Sequence, residues 1–293
     1  MTGVIETSQA LFMRDEVVAE YATFDFLLEP ERVILRRLDE LSAMRVLDLG
    51  VGGGRTTSQL LGRVGRYVGV DMSPLMVQAC RERFADRLGS DVRFAVCDAR
   101  DLSAFADDSF DLVLFTFNGI DSVVRDDDRR RVLHEVRRVC APGATFAFSS
   151  DNLLFARRRM RFGPALRAGL AGDGGRSRLA TTRHAVAGTW RLRRANAPLR
   201  GLDGPYARYV VERPVFELSP QHVERPGERI CVDGYCVEPD EQRRQLLTSG
   251  FERVELFGVD GSDVTGAPAE RLARFSWLYY ACRAGTPAAP RAG

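Results

Sequence analysis

Short apolar runs alternate with segments of helical spacing over the first half of the chain. The runs are MRVLDL (44–49), YVGVD (67–71), VRFAVCD (92–98), FDLVLFTF (110–117) and ATFAFSS (144–150). The intervening segments TTSQLLGRVG, SPLMVQACRERFADRLG and DDDRRRVLHEVRRVC repeat apolar residues every three to four positions, as helices do. Strands that alternate with helices predict an α/β fold, in which a doubly wound, mostly parallel sheet carries helices on both faces.

The pattern changes on both sides of this region. FLLEPERVILRRLDEL precedes it as an amphipathic helix, so residues 1–43 are predicted to form a helical cover. After Ser150 the alternation stops, and the short β-like pieces YARYVVER and ERICVDGYCV follow an arginine-rich run. The alternation of helices and strands resumes with the helix PDEQRRQLLTSG and the strands FERVELFG and FSWLYYACRA. These elements predict a seven-stranded core (44–151 and 236–284), a lid inserted after its fifth strand (152–235) and a disordered tail (285–293).

Composition describes an ordinary globular chain whose charge is unevenly distributed. The net charge is +2 over 293 residues, yet residues 152–235 hold 16 Arg against 7 acidic residues. Such a basic segment favours an anionic partner, or consists of solvated arginines paired with the chain's own acids, and both interpretations stay open. No apolar stretch reaches the ~18 residues of a membrane helix, and the first residues lack a signal-peptide pattern, so we expect a cytoplasmic protein without membrane contact. Six scattered cysteines and three histidines predict no metal site.

The glycine-rich loop at Asp48–Gly54, DLGVGGG, is the densest chemical signal. Its glycines permit positive φ angles and a close approach of the backbone to a ligand, although a tight β-to-α turn is the alternative. Asp71 ends the next strand, 21 positions after Gly50, where nucleotide-binding folds place an acid that accepts the ribose hydroxyls. The alternative is an N-cap for the following helix, a position that Ser73 already suits.

A third strand-end acid distinguishes this pattern from a dinucleotide site. Arg55 stands where the GxGxxG fingerprint has its last glycine, so a close approach to pyrophosphate is not specified. Asp98 is placed to accept the exocyclic amine of an adenine, with the amide of Ala99 at a ring nitrogen. The loop and the two acids therefore predict a pocket for an adenosine without a diphosphate.

These motifs resemble those of the class I S-adenosylmethionine-dependent methyltransferases. VLDLGVGGG is similar to their first motif, VGVDMSPLMVQACRER to their ribose-binding strand and helix, FAVCDARDL to their adenine acid, DDSFDLVLFTFNGID to their fourth strand, and HEVRRVCAPGATFAFSS to their Pro-Gly turn and fifth strand. The resemblance covers residues 44–151 continuously and 236–283 more loosely. It implies a Rossmann-like fold with S-adenosylmethionine as the cofactor.

The resemblance also implies which residues contact the cofactor. They lie in the glycine loop and at the ends of the first four strands: Asp48, Gly50, Gly52, Gly54, Asp71, Met72, Asp98, Ala99 and Phe115. The glycines are assigned to the methionine part, Met72 to one face of the adenine, and Phe115 to the surroundings of the sulfonium. Tyr21 matches a tyrosine that closes over the cofactor, or is a core aromatic.

The candidate substrate residues follow the fourth and fifth strands. Phe117 to Asp121, FNGID, replaces the histidine-bearing sequence of many relatives, so no histidine base is inherited there. Asp121 and Asp151 are the candidate catalytic carboxylates, with roles as a turn residue and a helix N-cap as their alternatives. Asn118, Asn152 and two lid tyrosines, Tyr209 and Tyr235, are the candidate substrate-binding residues, and Asn118 too has a turn role as its alternative.

The expected function is methyl transfer to an amine or hydroxyl of a small molecule. The basic lid suggests an anionic handle, such as the diphosphate of a nucleotide sugar, a carboxylate or a carrier-bound metabolite. An RNA methyltransferase is one alternative, against which stand the small net charge and the absence of an NPPY or DPPY sequence. A protein that binds S-adenosylmethionine without methylating is another. We expect a monomer or homodimer.

Overall fold

The computed structural model describes residues 5–6, 8–160, 204–214 and 229–286. The strands are β1 (Ile5–Glu6), β2 (Arg45–Leu49), β3 (Arg66–Asp71), β4 (Val92–Val96), β5 (Phe110–Phe115), β6 (Cys140–Asn152), β7 (Tyr206–Pro214), β8 (Arg229–Val237), β9 (Phe251–Phe257) and β10 (Trp277–Ala284). The α-helices are α1 (Ser8–Leu11), α2 (Asp15–Tyr21), α3 (Glu29–Arg36), α4 (Thr57–Leu60), α5 (Pro74–Arg83), α6 (Asp126–Val139), α7 (Leu153–Met160), α8 (Pro239–Thr248) and α9 (Ala269–Leu272). Short 3-10 turns occupy Leu41–Ala43, Ala85–Arg87 and Gly119–Ser122.

Seven of the strands form the predicted core sheet, in the order β4-β3-β2-β5-β6-β10-β9. All neighbours from β4 to β6 pair in parallel, and β10 runs antiparallel to both β6 and β9. Alternate residues of β2 enter two different cores, since Leu47 packs with α6 and α8 whereas Val46 packs with α3 and α5. The doubly wound, mostly parallel fold expected from the sequence is confirmed.

Further strands join the sheet where β6 runs beyond the end of β5. The last two residues of β6 pair in parallel with β8, in the register Asp151 to Cys236 and Asn152 to Val237. Strand β7 pairs antiparallel with β8, and β1 pairs with its other side. The two β-like pieces of the predicted lid are thus strands of this sheet. Helix α7 and residues 204–205 of that segment are also described, and the remainder lies outside the described residues, so the lid stays a prediction.

The helices that follow β2 and β3 differ in how they begin and end. Helix α5 starts as the sequence indicates, because Ser73 caps it with its hydroxyl at 3.3 Å from the amide of Met76 and Pro74 takes the first turn. Helix α4 is shorter than the helical pattern TTSQLLGRVG predicts. It ends at Leu60, and Gly62 follows with a φ of 79°, a conformation that turns the chain out of the helix.

Candidate active site

A cavity of about 320 Å³ lies at the carboxyl ends of β2, β3, β4 and β5, under the residues that precede α3. This is the edge at which open α/β sheets bind ligands. Eight of the predicted cofactor residues line it: Tyr21, Gly50, Gly52, Asp71, Met72, Asp98, Ala99 and Phe115. The glycine loop, Asp71 and Asp98, with the cavity wall between them, are here called the cofactor half of the site.

Asp48 and Gly54 support the loop rather than face the cavity. The carboxylate of Asp48 is buried and accepts hydrogen bonds from the hydroxyls of Thr56 and Tyr67, the latter at 2.6 Å. Burial raises the pKa of Asp48 to about 6, against the effect of these two hydrogen bonds. A side chain at Gly54 would meet Phe84 at 2.4 Å, so this glycine allows the loop to pack against the end of α5.

The remaining loop glycines are required for two different reasons, a positive φ angle and a close contact with the backbone of another segment. Gly50 and Gly52 have φ angles of 61° and 56°, which only glycine adopts without strain. A Cβ atom at Gly53 would lie 2.3 Å from the backbone of Tyr21 and Ala22. The chain that follows α2 therefore touches the glycine loop directly, and Arg83 reinforces this contact by donating to the carbonyls of Phe24 and Gly53 at 2.9 and 2.8 Å.

Two backbone amides fix the orientation of the Asp71 carboxylate. Gly52 and Ser73 each donate to one of its oxygens at 2.9 Å. Burial raises the pKa of Asp71, and these amide hydrogen bonds oppose that effect. Because Ser73 supplies the N-cap of α5, Asp71 does not serve as that cap. Each carboxylate oxygen keeps a lone pair, which suits the acid to accepting a diol.

Asp98 faces the cavity in an ion pair with Arg100. The Nε and Nη2 atoms of Arg100 lie 2.9 and 2.6 Å from one carboxylate oxygen, and its Nη1 lies 3.4 Å from Asp128. Burial by itself would raise the pKa of Asp98, but the hydrogen bonds and charge of Arg100 outweigh it and hold that pKa below its ordinary value. Asp98 is therefore a carboxylate at neutral pH and an acceptor for an amine.

The chemistry of the cofactor half fits an adenosine that carries an amino-acid tail. Met72, Met76 and Ala99 give the cavity apolar surface between the two acids, as a purine ring needs. Asp71 and Asp98 supply acceptors for hydroxyls and for an amine, and the glycine loop allows close approach to the tail. The chemistry of this part of the cavity therefore fits a nucleoside ligand.

The substrate half of the site consists of the residues that follow β5 and β6. Phe117 and Asn118, both lining the cavity, have left-handed φ angles of 58° and 60° in succession. The amide of Asn118 donates to the hydroxyl of Ser149 at 2.7 Å, and its side-chain Nδ2 donates to Asp151 at 2.8 Å. Its Oδ1 atom is buried and has no hydrogen-bond partner among the described residues.

Asp121, a predicted catalytic residue, lies behind this surface. Its carboxylate accepts from Arg129 at 3.0 Å and from the hydroxyl of Ser150 and the amide of Asp151 at 2.6 Å each. Both side chains of the ion pair are buried, and burial raises the pKa of Asp121 against the attraction of Arg129. Asp121 does not line the cavity, so its geometry is that of a positioning residue.

Three of the other predicted catalytic and substrate-binding residues also lie behind the cavity surface rather than in it: Asp151, Asn152 and Tyr235. Asp151 holds the amide of Asn118 without lining the cavity. Asn152 accepts from the amide of Leu154 at 3.0 Å at the start of α7, so Asn152 rather than Asp151 occupies the capping position. The ring of Tyr235 lies 4.1 Å below the Arg129 guanidinium and is fully buried. Tyr209 belongs to β7, and its side chain lies outside the described residues.

Sequence reasoning named Tyr21 and Phe115 but missed the other aromatic residues of the cavity and the arginine beside them. Phe12, Phe24 and Phe117 line the cavity together with Tyr21, and these rings contact one another in succession. Arg55 is buried in an ion pair with Glu31 at 2.6 Å, with its guanidinium 5.0 Å from the Phe117 ring. The residues FDF at 24–26 are a compositional signal of the aromatic wall, but no spacing rule ties them to Phe117.

The family model and several curated relatives that this chain resembles are described as methyltransferases. Residues 46–143 match the family model described as a methyltransferase domain. A demethylmenaquinone methyltransferase of Clavibacter sepedonicus is 34% identical over 51% of this chain and 62% of its own length. Methyltransferase GfsG of Streptomyces halstedii is 33% identical over 40% of this chain and 41% of its own length. Other curated relatives are named as O-methyltransferases or C-methyltransferases.

Solved structures agree on the fold. An S-adenosylmethionine-dependent methyltransferase from Clostridium acetobutylicum superposes with a TM-score of 0.53 at 13% identity, covering 92% of each chain. Residues 46–143 are therefore similar to a methyltransferase domain, and the described part of the chain has the fold of solved S-adenosylmethionine-dependent methyltransferases. Within the part of the chain that the structure describes, no helix is long and apolar enough to cross a membrane, and no group of His, Cys, Asp and Glu is arranged to hold a metal ion.

Proposed function

We propose that this protein transfers the methyl group of S-adenosylmethionine to a hydroxyl or amine of a small organic molecule. The observation that carries the proposal is the single cavity surface shared by Asp71, Asp98 and Asn118, which joins a nucleoside-binding half to a half that offers a buried hydrogen-bond acceptor. Several relatives are named as O-methyltransferases, which favours the hydroxyl. The chain spans 41% and 62% of the two relatives described above, so their substrates are not carried over.

The bound cofactor supplies an electrophilic methyl group on a sulfonium. The protein's own task is to align a nucleophile with it and to keep water away, and such positioning can supply much of the rate acceleration. Asp71 and Asp98 anchor the two ends of the nucleoside, with Asp71 itself fixed by the amides of Gly52 and Ser73. The aromatic wall of Phe12, Tyr21 and Phe24 covers the same cavity with apolar surface.

The hydrogen-bonded groups of the substrate half are placed to orient the nucleophile. Asn118 offers its Oδ1 atom toward an O–H or N–H group, and Asp151 fixes the amide in that orientation. Asp121, held by Arg129, fixes the backbone of Asp151 in turn. We infer that Asp121 acts through Asp151 and Asn118, and that Asp151 polarises the Asn118 amide. The anionic handle stays a prediction, since most of the arginines that suggest it lie outside the described residues.

Calorimetric titration with S-adenosylmethionine and S-adenosylhomocysteine tests the cofactor half. We expect micromolar binding that weakens about 10- to 100-fold in Asp71→Ala and in Asp98→Ala, because each loses hydrogen bonds to a charged group. Asp86→Ala, on an exposed turn, is the matched control and keeps wild-type binding. Binding of NAD in place of both ligands would contradict the proposal.

Turnover distinguishes a methyltransferase from a protein that only binds the cofactor. The assay measures S-adenosylhomocysteine release and a product mass increase of one methylene over a panel of alcohols, phenols and amines. We expect release that depends on the added small molecule. Release that depends on RNA instead would support the nucleic-acid alternative, and tight binding without release over the whole panel would support the non-methylating one.

A further inference from the structure

Two features of the cavity indicate the class of the methyl acceptor. The first is the aromatic wall, which runs from the N-terminal segment to Phe117 in the substrate half. The rings of Phe12, Tyr21, Phe24 and Phe117 contact one another in succession, at centroid distances of 5.6, 5.2 and 6.4 Å, and Trp277 lies 5.6 Å behind Phe117. Rings in such an array interact best with another flat ring, through stacked or edge-to-face contacts.

The second feature is the Oδ1 atom of Asn118. It is buried and has no partner among the described residues, and leaving an acceptor in that state carries a free-energy cost. Its orientation is not ambiguous, because the carboxylate of Asp151 accepts only from the NH2 side of the amide, 2.8 Å away. The partner that this oxygen lacks is therefore a hydrogen-bond donor.

The backbone holds these two features side by side. Phe117 and Asn118 are neighbours, and both have left-handed φ angles, which are costly for residues other than glycine. The amide of Asn118 is anchored by Ser149, and the face of Phe117 is supported by the guanidinium of Arg55 at 5.0 Å. Both residues line the cavity, so this left-handed pair holds a ring and a buried acceptor, unpartnered within the described part of the chain, beside the same space.

We propose that the methyl acceptor is a phenol, a planar aromatic ring whose hydroxyl donates to Asn118 Oδ1 while the ring packs against Phe24 and Phe117. This inference rests on the proposed function and names its substrate class. In the reaction, the phenolic oxygen forms a bond to the methyl carbon as the sulfur–methyl bond breaks. The electron pair of that bond goes to sulfur, and the phenolic proton, which an amide oxygen cannot keep, passes to water.

The test uses three matched probes titrated into the full chain saturated with S-adenosylhomocysteine. 2-Naphthol has both the ring and the donor, 2-methoxynaphthalene lacks the donor, and decahydro-2-naphthol lacks the aromatic ring. We expect 2-naphthol to bind about tenfold more tightly than either of the others, the loss expected for one hydrogen bond or one set of ring contacts. With S-adenosylmethionine present, 2-naphthol should yield 2-methoxynaphthalene.

Two variants test which residues cause the tighter binding of 2-naphthol. Asn118→Gly tolerates the left-handed backbone and should remove the advantage of 2-naphthol over 2-methoxynaphthalene, with binding of S-adenosylhomocysteine unchanged. Phe24→Leu should reduce the advantage over decahydro-2-naphthol. Gln78→Ala, an exposed amide residue on α5, is the control and should leave both ratios at the wild-type value.

The outcomes separate this inference from the function on which it rests. Binding of S-adenosylhomocysteine together with equal affinity for the three probes would overturn the phenol class and leave the methyltransferase proposal intact. A preference for 2-naphthol that survives in Asn118→Gly would overturn the role of Asn118. Failure of S-adenosylhomocysteine to bind would overturn the proposed function and the phenol site with it.

Discussion

Aspartates from the two halves of the site experience opposite environments. Asp98 faces the cavity with 31% of its side chain exposed, and its arginine partner is exposed as well. Asp121 has 4% of its side chain exposed and bonds to a guanidinium that is 1% exposed. The cofactor half thus presents its acids to a ligand, whereas the substrate half uses an acid internally to fix the residues that line the cavity. An acid near a strand end can therefore contact a ligand, or it can be part of the buried frame, here Asp121, Arg129 and the groups to which they are hydrogen-bonded.

The largest effect should come from removing the arginine of that frame. Arg129→Met leaves Asp121 buried without its cation, which should lower the free energy of unfolding by about 3–5 kcal/mol. Urea denaturation measures the loss. Arg130→Met, the next residue on α6 with 60% of its side chain exposed, is the control and should change stability by less than about 1 kcal/mol. Equal losses of stability in the two variants would contradict the conclusion that Arg129 and Asp121 form a stabilising buried ion pair.

A pH series tests whether a buried acid without an arginine behaves differently. Asp48 has a pKa of about 6 in the folded protein against an ordinary value of 3.8, so the folded state holds the proton more tightly than the unfolded state does. Relative to Asp48→Asn, the wild type should lose about 3 kcal/mol of stability as pH rises from about 4 to about 6, and no more above that. Urea midpoints between pH 4 and 8 measure it, with Asp86→Asn as control. A stability difference between the wild type and Asp48→Asn that does not change with pH would contradict the raised pKa of Asp48.

The contact between the glycine loop and the N-terminal segment gives a smaller effect. Gly53→Ala places a Cβ atom 2.3 Å from the Tyr21 backbone, which cannot move aside as a side chain can. We expect a loss of about 1–3 kcal/mol in stability, with weaker cofactor binding because Tyr21 also lines the cavity. At Gly89, where nothing lies within 4 Å of an added Cβ, the same substitution should be nearly neutral. Equal stability of the two variants would show that the loop and the cover do not pack as described.

The smallest effect concerns the ion pair in the cofactor half. In the proposed cofactor site Arg100 would compete with an adenine amine for Asp98, yet a partly exposed ion pair of this kind is worth less than about 1 kcal/mol. Arg100→Ala should therefore tighten S-adenosylhomocysteine binding about threefold in calorimetry. Arg93→Ala, an exposed residue of β4, removes the same charge and should have no effect. Weaker binding in Arg100→Ala would mean that the arginine contributes to the nucleoside site.

The sequence predicts which residues line the cavity at the ends of β2, β3 and β4, because the signals for these positions are local. The loop glycines and the acids at the ends of β3 and β4 each follow directly from a strand, and parallel strands bring their carboxyl ends together. The frame of the substrate half depends on contacts between distant positions. Arg129 donates to Gln242, 113 residues away, and no spacing in the sequence records that contact. The buried state of Asp121 could not be predicted for this reason.

The sheet fixes both ends of the segment that follows β6, and this limits where the segment can vary in length. Asn152 and Val237 are register partners, and β8 also pairs with β7 and buries Tyr235 and Cys236, so β8 is a fixed part of the sheet. Pro214 and Arg229 are register partners at the far end of the β7–β8 pair. Closing a connection between two such partners costs only about 0.6 kcal/mol more for each doubling of its length. Insertions and deletions between Pro214 and Arg229 should therefore change the stability of the sheet far less than changes within β8.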